Sequence, residues 1–192
     1  MLQVEMSIPA DTELFLFLNR DLGLFADQFF SLISSKWIAI PLYLFIGWMM
    51  YRKYGNKILI ILGAVAILIF VSDQLSVAFK NLIERPRPCH EDSLAGLVRT
   101  VNGRCGGQYG FYSSHASNTL AIALFTIGLL RIPALTAFLF IWCVAVGYSR
   151  IYLGVHYPVD VLCGWIAGAL LGIVAAHILK NRLLSVVPEH LE

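Results

Sequence analysis

Lys80, Arg87 and Arg150 are cations, His115 and His156 imidazoles and Asp160 a carboxylate, all in short polar clusters between long apolar runs. Charge at such places is costly in a membrane protein and marks function. The stretch 149–160, SRIYLGVHYPVD, alone holds Arg150, His156 and Asp160. Arginine's planar fork suits phosphate oxygens, and lysine adds a compact charge. Ser113 and Ser114 stand just before an apolar run, where they cap a helix whose free N–H groups favour an anion. For Ser113 a cap alone is the simpler reading, but cap and anion site would here be the same place. Pro86 and Pro88 stiffen the chain around Arg87 and stop a helix from running through it.

Asp160 follows His156 by four residues, with Pro158 near a helix start, so the carboxylate falls on the histidine's side. A carboxylate bonded to an imidazole fixes its tautomer and stabilises its charged form. His156 is then ready to attack phosphorus, and His115 to protonate the leaving oxygen. The cations offset charge on the transferred phosphoryl group, a task metals perform elsewhere. No carboxylate cluster suggests a metal, so neither metal nor other cofactor is expected.

These residues must be brought together by membrane helices. The 192-residue chain is 58% hydrophobic and 14% charged, against roughly 25% charged in soluble domains. The expected fold is all-α, a polytopic transmembrane bundle of about five to six membrane helices with an N-terminal amphipathic segment, in one domain over 1–192. The net charge of +2 excludes nucleic acid as an expected partner. The first fifteen residues carry Glu5, Asp11 and Glu13 but no Lys or Arg, the reverse of a signal n-region, so insertion is expected to rely on the first true span. Residues 1–36 form the amphipathic segment. Leu14, Phe15, Leu18, Leu22, Phe25 and Phe29 recur at helical spacing over 11–36, which fits one or two interfacial helices or, equally, helices packed on the protein.

Spans are expected at about 37–51, 58–79, 113–130, 132–147 and 158–179. Asp73 lies inside the second and is read as a hydrogen-bond partner for a neighbouring helix. Gly164, Gly168 and Gly172 recur at four-residue steps in the last, a stripe that admits a close helix, within the bundle by default. Alternation then puts 80–112, 113–115 and 149–160 on one face. Arg52, Lys53, Lys57, Arg131, Lys180 and Arg182 gather on the other, which the positive-inside rule makes cytoplasmic. The clusters therefore face periplasm or exterior, in an inner (cytoplasmic) membrane. Cys89 and Cys105 share the outward loop, where a disulfide and two free thiols are both open. Zinc is disfavoured, with only His90 nearby and no CxxC spacing.

Lys80-x6-Arg87-Pro88, Tyr112-Ser113-Ser114-His115 and Ser149-Arg150-x5-His156-x3-Asp160 resemble the three signature motifs of the type 2 phosphatidic acid phosphatase (PAP2) superfamily, in order, across about 80–160. The second departs from the family's Pro-Ser-Gly-His at Tyr112 and Ser114. Arg85-Pro86 rivals Arg87-Pro88 for the first, but the spacing from Lys80 favours Arg87. The resemblance implies a metal-independent membrane lipid phosphatase without cofactor. His156 would be the nucleophile, oriented by Asp160, forming a phosphohistidine. His115 would be the general acid. Lys80, Arg87, Ser113, Ser114 and Arg150 would bind phosphate. The implied partners are the bilayer and a lipid phosphate. An outward site fits undecaprenyl pyrophosphate, converted to undecaprenyl phosphate, ahead of phosphatidylglycerophosphate, phosphatidic acid or lipid A. A lipid phosphotransferase and a non-catalytic lipid-binding protein are the other readings.

Overall fold

A computed structural model describes residues 9–184, which form helices and connecting loops with no strand. Residues 1–8 of the expected interfacial segment, with Glu5, lie outside the described residues. The helices are α1 (Pro9–Leu18), α2 (Leu24–Ile33), α3 (Lys36–Tyr54), α4 (Ile58–Ile83), α5 (Ser114–Leu130), α6 (Pro133–Tyr152) and α7 (Pro158–Leu184). Their ends follow local chemistry. Gly55 leaves α3 at φ +56° and Pro133 opens α6 at its first turn. Ser113 caps α5, its hydroxyl accepting from Ala116 N.

Lys36–Ile83, Pro133–Tyr152 and Pro158–Arg182 are long and apolar enough to cross a membrane. The first spans 48 residues but breaks at the turn Gly55–Lys57, so it holds both α3 and α4. α5 is a shorter apolar helix of 17 residues, about 25 Å long at ~1.5 Å per residue. The expected segments thus correspond to α3 through α7, with α4 and α6 running several residues further than expected, so that Lys80 and Arg150 are helical. Lipid-facing residues such as Leu59, Leu82 and Ile141 are exposed, as they should be where the solvent is hydrocarbon.

α3 and α4 are antiparallel. Lys53 Nζ and Tyr54 Oη donate to Leu129 O at the end of α5, 2.6 and 2.8 Å away. At α5's other end Ser72 and Ser76, on α4, meet Ser117 and Ser114, with Oγ–Oγ distances of 2.8 and 2.7 Å. Asp73 accepts from Asn118 Nδ2 at 2.8 Å, the interhelical bond expected for it. α7 packs most closely on α5. A Cβ on Gly164 would lie 2.6 Å from Ser113 O, and one on Gly168 or Gly172 would overlap Ser117 O or Ala121 O. Without a hydrophobic drive between helices in lipid, this small-residue contact supplies the packing. Gly168→Leu is therefore expected to lower Tm in detergent by roughly 10 °C or to prevent folding; a thermal-shift measurement on the purified protein checks it.

The N-terminal segment is partly corrected. α1 does not simply lie in the interface: Phe15 is fully buried, its ring centroid 5.4 Å from that of Tyr157, and Asp11 is buried too. The amphipathic pattern arose from packing on protein. α2 keeps an apolar outer face, with Leu24 and Phe25 at 80% and 82% exposure. It is tied inward through Asp27, which accepts from Arg99 Nη2 at 2.7 Å and Tyr152 Oη at 2.6 Å.

Candidate active site

The turn between α6 and α7 carries His156. It closes through the Arg150 carbonyl, which accepts from Val155 N and His156 N at 3.1 and 3.3 Å. Gly154 takes φ +78°, and a Cβ there would lie 2.5 Å from Arg99 O, so the turn admits no side chain. His156 is 2% exposed. Burial pushes its pKa down to about 4; Asp160 works the other way, while Arg150 and Arg87 add to the lowering. The ring is therefore neutral at physiological pH, the form that owns a nucleophilic nitrogen.

Asp160 is completely buried. Its Oδ1 accepts from Arg85 Nη1 at 2.8 Å and its Oδ2 from Tyr157 N at 3.0 Å. His156 Nδ1 lies 3.5 Å from Oδ2 and makes no hydrogen bond of its own. The neutral ring and the carboxylate thus rest one small ring adjustment from a hydrogen bond, and catalytic contacts commonly tighten only with substrate.

The long loop after α4 folds back on this pair. Arg87 N donates to Gln108 O and Gly110 N to Arg85 O, both at 2.9 Å. Gly110 sits at the meeting point: a Cβ there would lie 3.2 Å from Arg87 Cγ, 3.2 Å from Asp160 Oδ2 and 3.6 Å from His156 Nδ1. Arg87 is held by backbone, Nε to Tyr109 O at 3.2 Å and Nη1 to Cys105 O at 3.4 Å, and partial burial lowers its pKa. Cys89 and Cys105 are joined as a disulfide with Cα atoms 5.9 Å apart, within the usual range. With both sulfurs in that bond, the cluster of Cys89, His90 and Cys105 has no thiolate pair for a metal.

Lys80 Nζ, in the last turn of α4, donates to Ser114 Oγ at 2.6 Å and Ser76 Oγ at 2.7 Å. Ser113 is wholly buried, its hydroxyl accepting from Ala116 N at 3.5 Å and its N–H bonded to Asp160 O at 3.0 Å, so it builds the helix end and ties it to α7. His115 is the second residue of α5, within the fields of Arg150, His156, Lys80 and Arg87. Arg150 bonds Ser34 Oγ at the end of α2 through Nη1, while its Nε is buried with no acceptor among the described residues. An unpaired guanidinium N–H is costly unless a ligand supplies an oxygen.

Arg85 has a different place from the one weighed for it. It points away from the phosphate cations, between two carboxylates, bonding Asp160 and Asp11. Sequence reasoning missed this position, and with it Asp11, Ser76, Ser34 and Gly110. Ser76 was within reach, since it precedes Lys80 by four residues on one helix face. The others are joined only by long-range folding.

The arrangement offers a neutral buried imidazole backed by a carboxylate, a second imidazole, and cations with a spare donor, which together suit transfer of a phosphoryl group. Known proteins agree. The PAP2 superfamily profile matches residues 57–184. Lipid A 4'-phosphatase of Bacteroides thetaiotaomicron is 38% identical over 191 residues, covering 96% of this chain and 85% of that one. The enzyme of the same name from Porphyromonas gingivalis is 37% identical, covering 88% and 72%. The crystal structure of Aquifex aeolicus LpxE superposes with a TM-score of 0.67 at 26% identity, covering 86% of this chain and 94% of its own. A profile match over residues 57–184, and relatives aligned over most of both chains, make this chain an integral membrane phosphatase belonging to the PAP2 superfamily.

Proposed function

We propose that this enzyme removes a phosphate monoester from a lipid A-type glycolipid, through a phosphohistidine on His156. The observation that carries the substrate is the near full-length match to the two lipid A 4'-phosphatases. It favours the alternative substrate over undecaprenyl pyrophosphate, which rested on an outward-facing site alone. The outward orientation itself belongs to this proposal. Lys53 lies at α5's C-terminal end with the basic 52–57 turn, opposite the end holding Lys80 and Ser114, and that basic end is the cytoplasmic one by the positive-inside rule.

In the first step the unprotonated ring nitrogen of His156 attacks phosphorus. An N–P bond forms as the sugar's O–P bond breaks, and His115 gives its proton to the leaving oxygen. Asp160 steadies the positive imidazolium so created. Lys80, Arg87, Arg150 and the N–H groups at the start of α5, Ser114 included, carry the phosphoryl oxygens' charge. Water then attacks the phosphohistidine, giving its proton to His115, and inorganic phosphate leaves with His156 neutral again.

The test is phosphate release by the purified protein from lipid A, undecaprenyl pyrophosphate, phosphatidylglycerophosphate and phosphatidic acid, with and without chelator. Lipid A is expected to give the highest kcat/KM, unchanged by chelator and with no added acceptor. A tenfold preference for undecaprenyl pyrophosphate would overturn the substrate assignment, since roughly 1.4 kcal/mol of transition-state binding separates such rivals. Phosphate release only in the presence of an acceptor lipid would make it a phosphotransferase. Failure with every substrate would leave a lipid-binding protein.

A further inference from the structure

Behind the histidine, Asp160 ends a buried ion chain whose other members, Arg85 and Asp11, the reaction as proposed does not use. Arg85 is 5% exposed. Its Nη1 donates to Asp160 Oδ1 at 2.8 Å and its Nη2 to Asp11 Oδ2 at 2.7 Å, while its guanidinium lies 4.0 Å from the centroid of the Tyr157 ring. Asp11 is 4% exposed, and its Oδ1 accepts from Val159 N at 2.9 Å in the first turn of α7. The two carboxylates come from opposite ends of the chain, 149 positions apart by number (160 − 11 = 149), and meet on one guanidinium.

Stability alone does not explain this set. Ions removed from water carry a large desolvation cost, and apolar residues of the same volume often serve the fold as well. Its charge does have a use. Asp11, Arg85 and Asp160 sum to one net negative charge beside His156. Arg85 by itself would cancel Asp160, leaving nothing to steady an imidazole that becomes cationic when phosphorylated. We infer that Asp11 and Arg85 are a positioning pair. Arg85 fixes the orientation of the Asp160 carboxylate toward His156 Nδ1, and Asp11, from the N-terminal helix, neutralises Arg85 so that Asp160 keeps its full effect. The inference rests on His156 being the nucleophile.

Asp11→Asn is the informative variant. It keeps an acceptor for Val159 N and changes charge with almost no change of shape. Arg85→Gln and the double variant complete a cycle, with phosphate release measured from lipid A and dioleoyl phosphatidic acid in parallel. Supporting groups of this kind are worth roughly 10–100-fold. Asp11→Asn is expected to lower kcat by about that factor with KM unchanged, because only the transition state and intermediate carry the new charge. The double variant, which restores one net negative charge, is expected to lose less than the product of the single losses. Asp11→Asn turning over like wild type, a rise in KM at constant kcat, or losses that simply multiply would each overturn the inference. A His156→Ala control separates the two levels. If it is inactive while Asp11→Asn is fully active, only the positioning pair falls; if it turns over, the nucleophile assignment falls with it.

Discussion

His156→Ala should be folded and inactive, its phosphate release reduced by ~10⁴-fold or more, since removing a nucleophile leaves only binding and electrostatic stabilisation. The carboxylate neighbour of His156, Asp160, is engaged by Arg85 and Tyr157 N. Wild-type enzyme denatured in alkali after mixing with radiolabelled substrate should carry label that survives base and is lost in acid, and the variant none. Label on His156→Ala would place the covalent step elsewhere. The pH profile follows from the same residue. With its folded pKa lowered to about 4, His156 is unprotonated in the free enzyme above that value, so kcat/KM should show no acid limb from it between pH 5 and 8. Linkage has the same sign. The unfolded chain, with an ordinary histidine near 6.5, binds more protons than the folded one between about pH 4 and 6.5. This contribution to stability is complete above 6.5 and is lost as pH falls toward 4.

His115→Ala should behave differently, although its loss on lipid A is also large, ~10²–10⁴-fold for a missing general acid. His115 stands in the first turn of α5, and the role proposed for it is to donate a proton rather than to bond phosphorus. A substrate with an acidic leaving group, such as para-nitrophenyl phosphate, has less need of that proton. The variant should therefore lose least with it in the phosphorylation step, seen as a retained burst of nitrophenolate followed by slow turnover. An equal loss with both leaving groups in the burst would show that His115 is not the acid.

Much of this was legible in the sequence, for identifiable reasons. Lys80, Arg87, His115, Arg150, His156 and Asp160 announced themselves because ionisable groups between apolar runs are rare, and alternation of spans put them on one face before any coordinates. Ser113 and Pro158 marked helix starts because capping and proline chemistry act within a turn. What escaped needed long-range contact. Arg85 sits two residues from Arg87 in an Arg-Pro-Arg-Pro run, and nothing local says that one turns to the phosphate side and the other to Asp11, 74 positions away. α1 had the periodicity of an interfacial helix, and a pattern of alternating faces cannot tell lipid from protein as the apolar partner. Ser113 was read as both cap and ligand, and the structure shows the cap. The substrate left no mark on the motifs, because they recognise phosphate and not what bears it.

The tie between α1 and the start of α7 also sets the order in which the enzyme comes into being. Asp11 is made 148 positions before its partner Val159, and Asn19 waits for the carbonyls of Ile151 and Tyr152, up to 133 positions on. Contacts of such separation form late, after the entropy of closing the intervening chain has been met. During synthesis α1 must therefore stay undocked at the membrane surface while the middle helices insert. Its docking joins α1 to the start of α7 beside the histidine turn, so a half-inserted chain is still open at the candidate site, and His156 and Asp160 gain their surroundings only when the whole bundle is assembled.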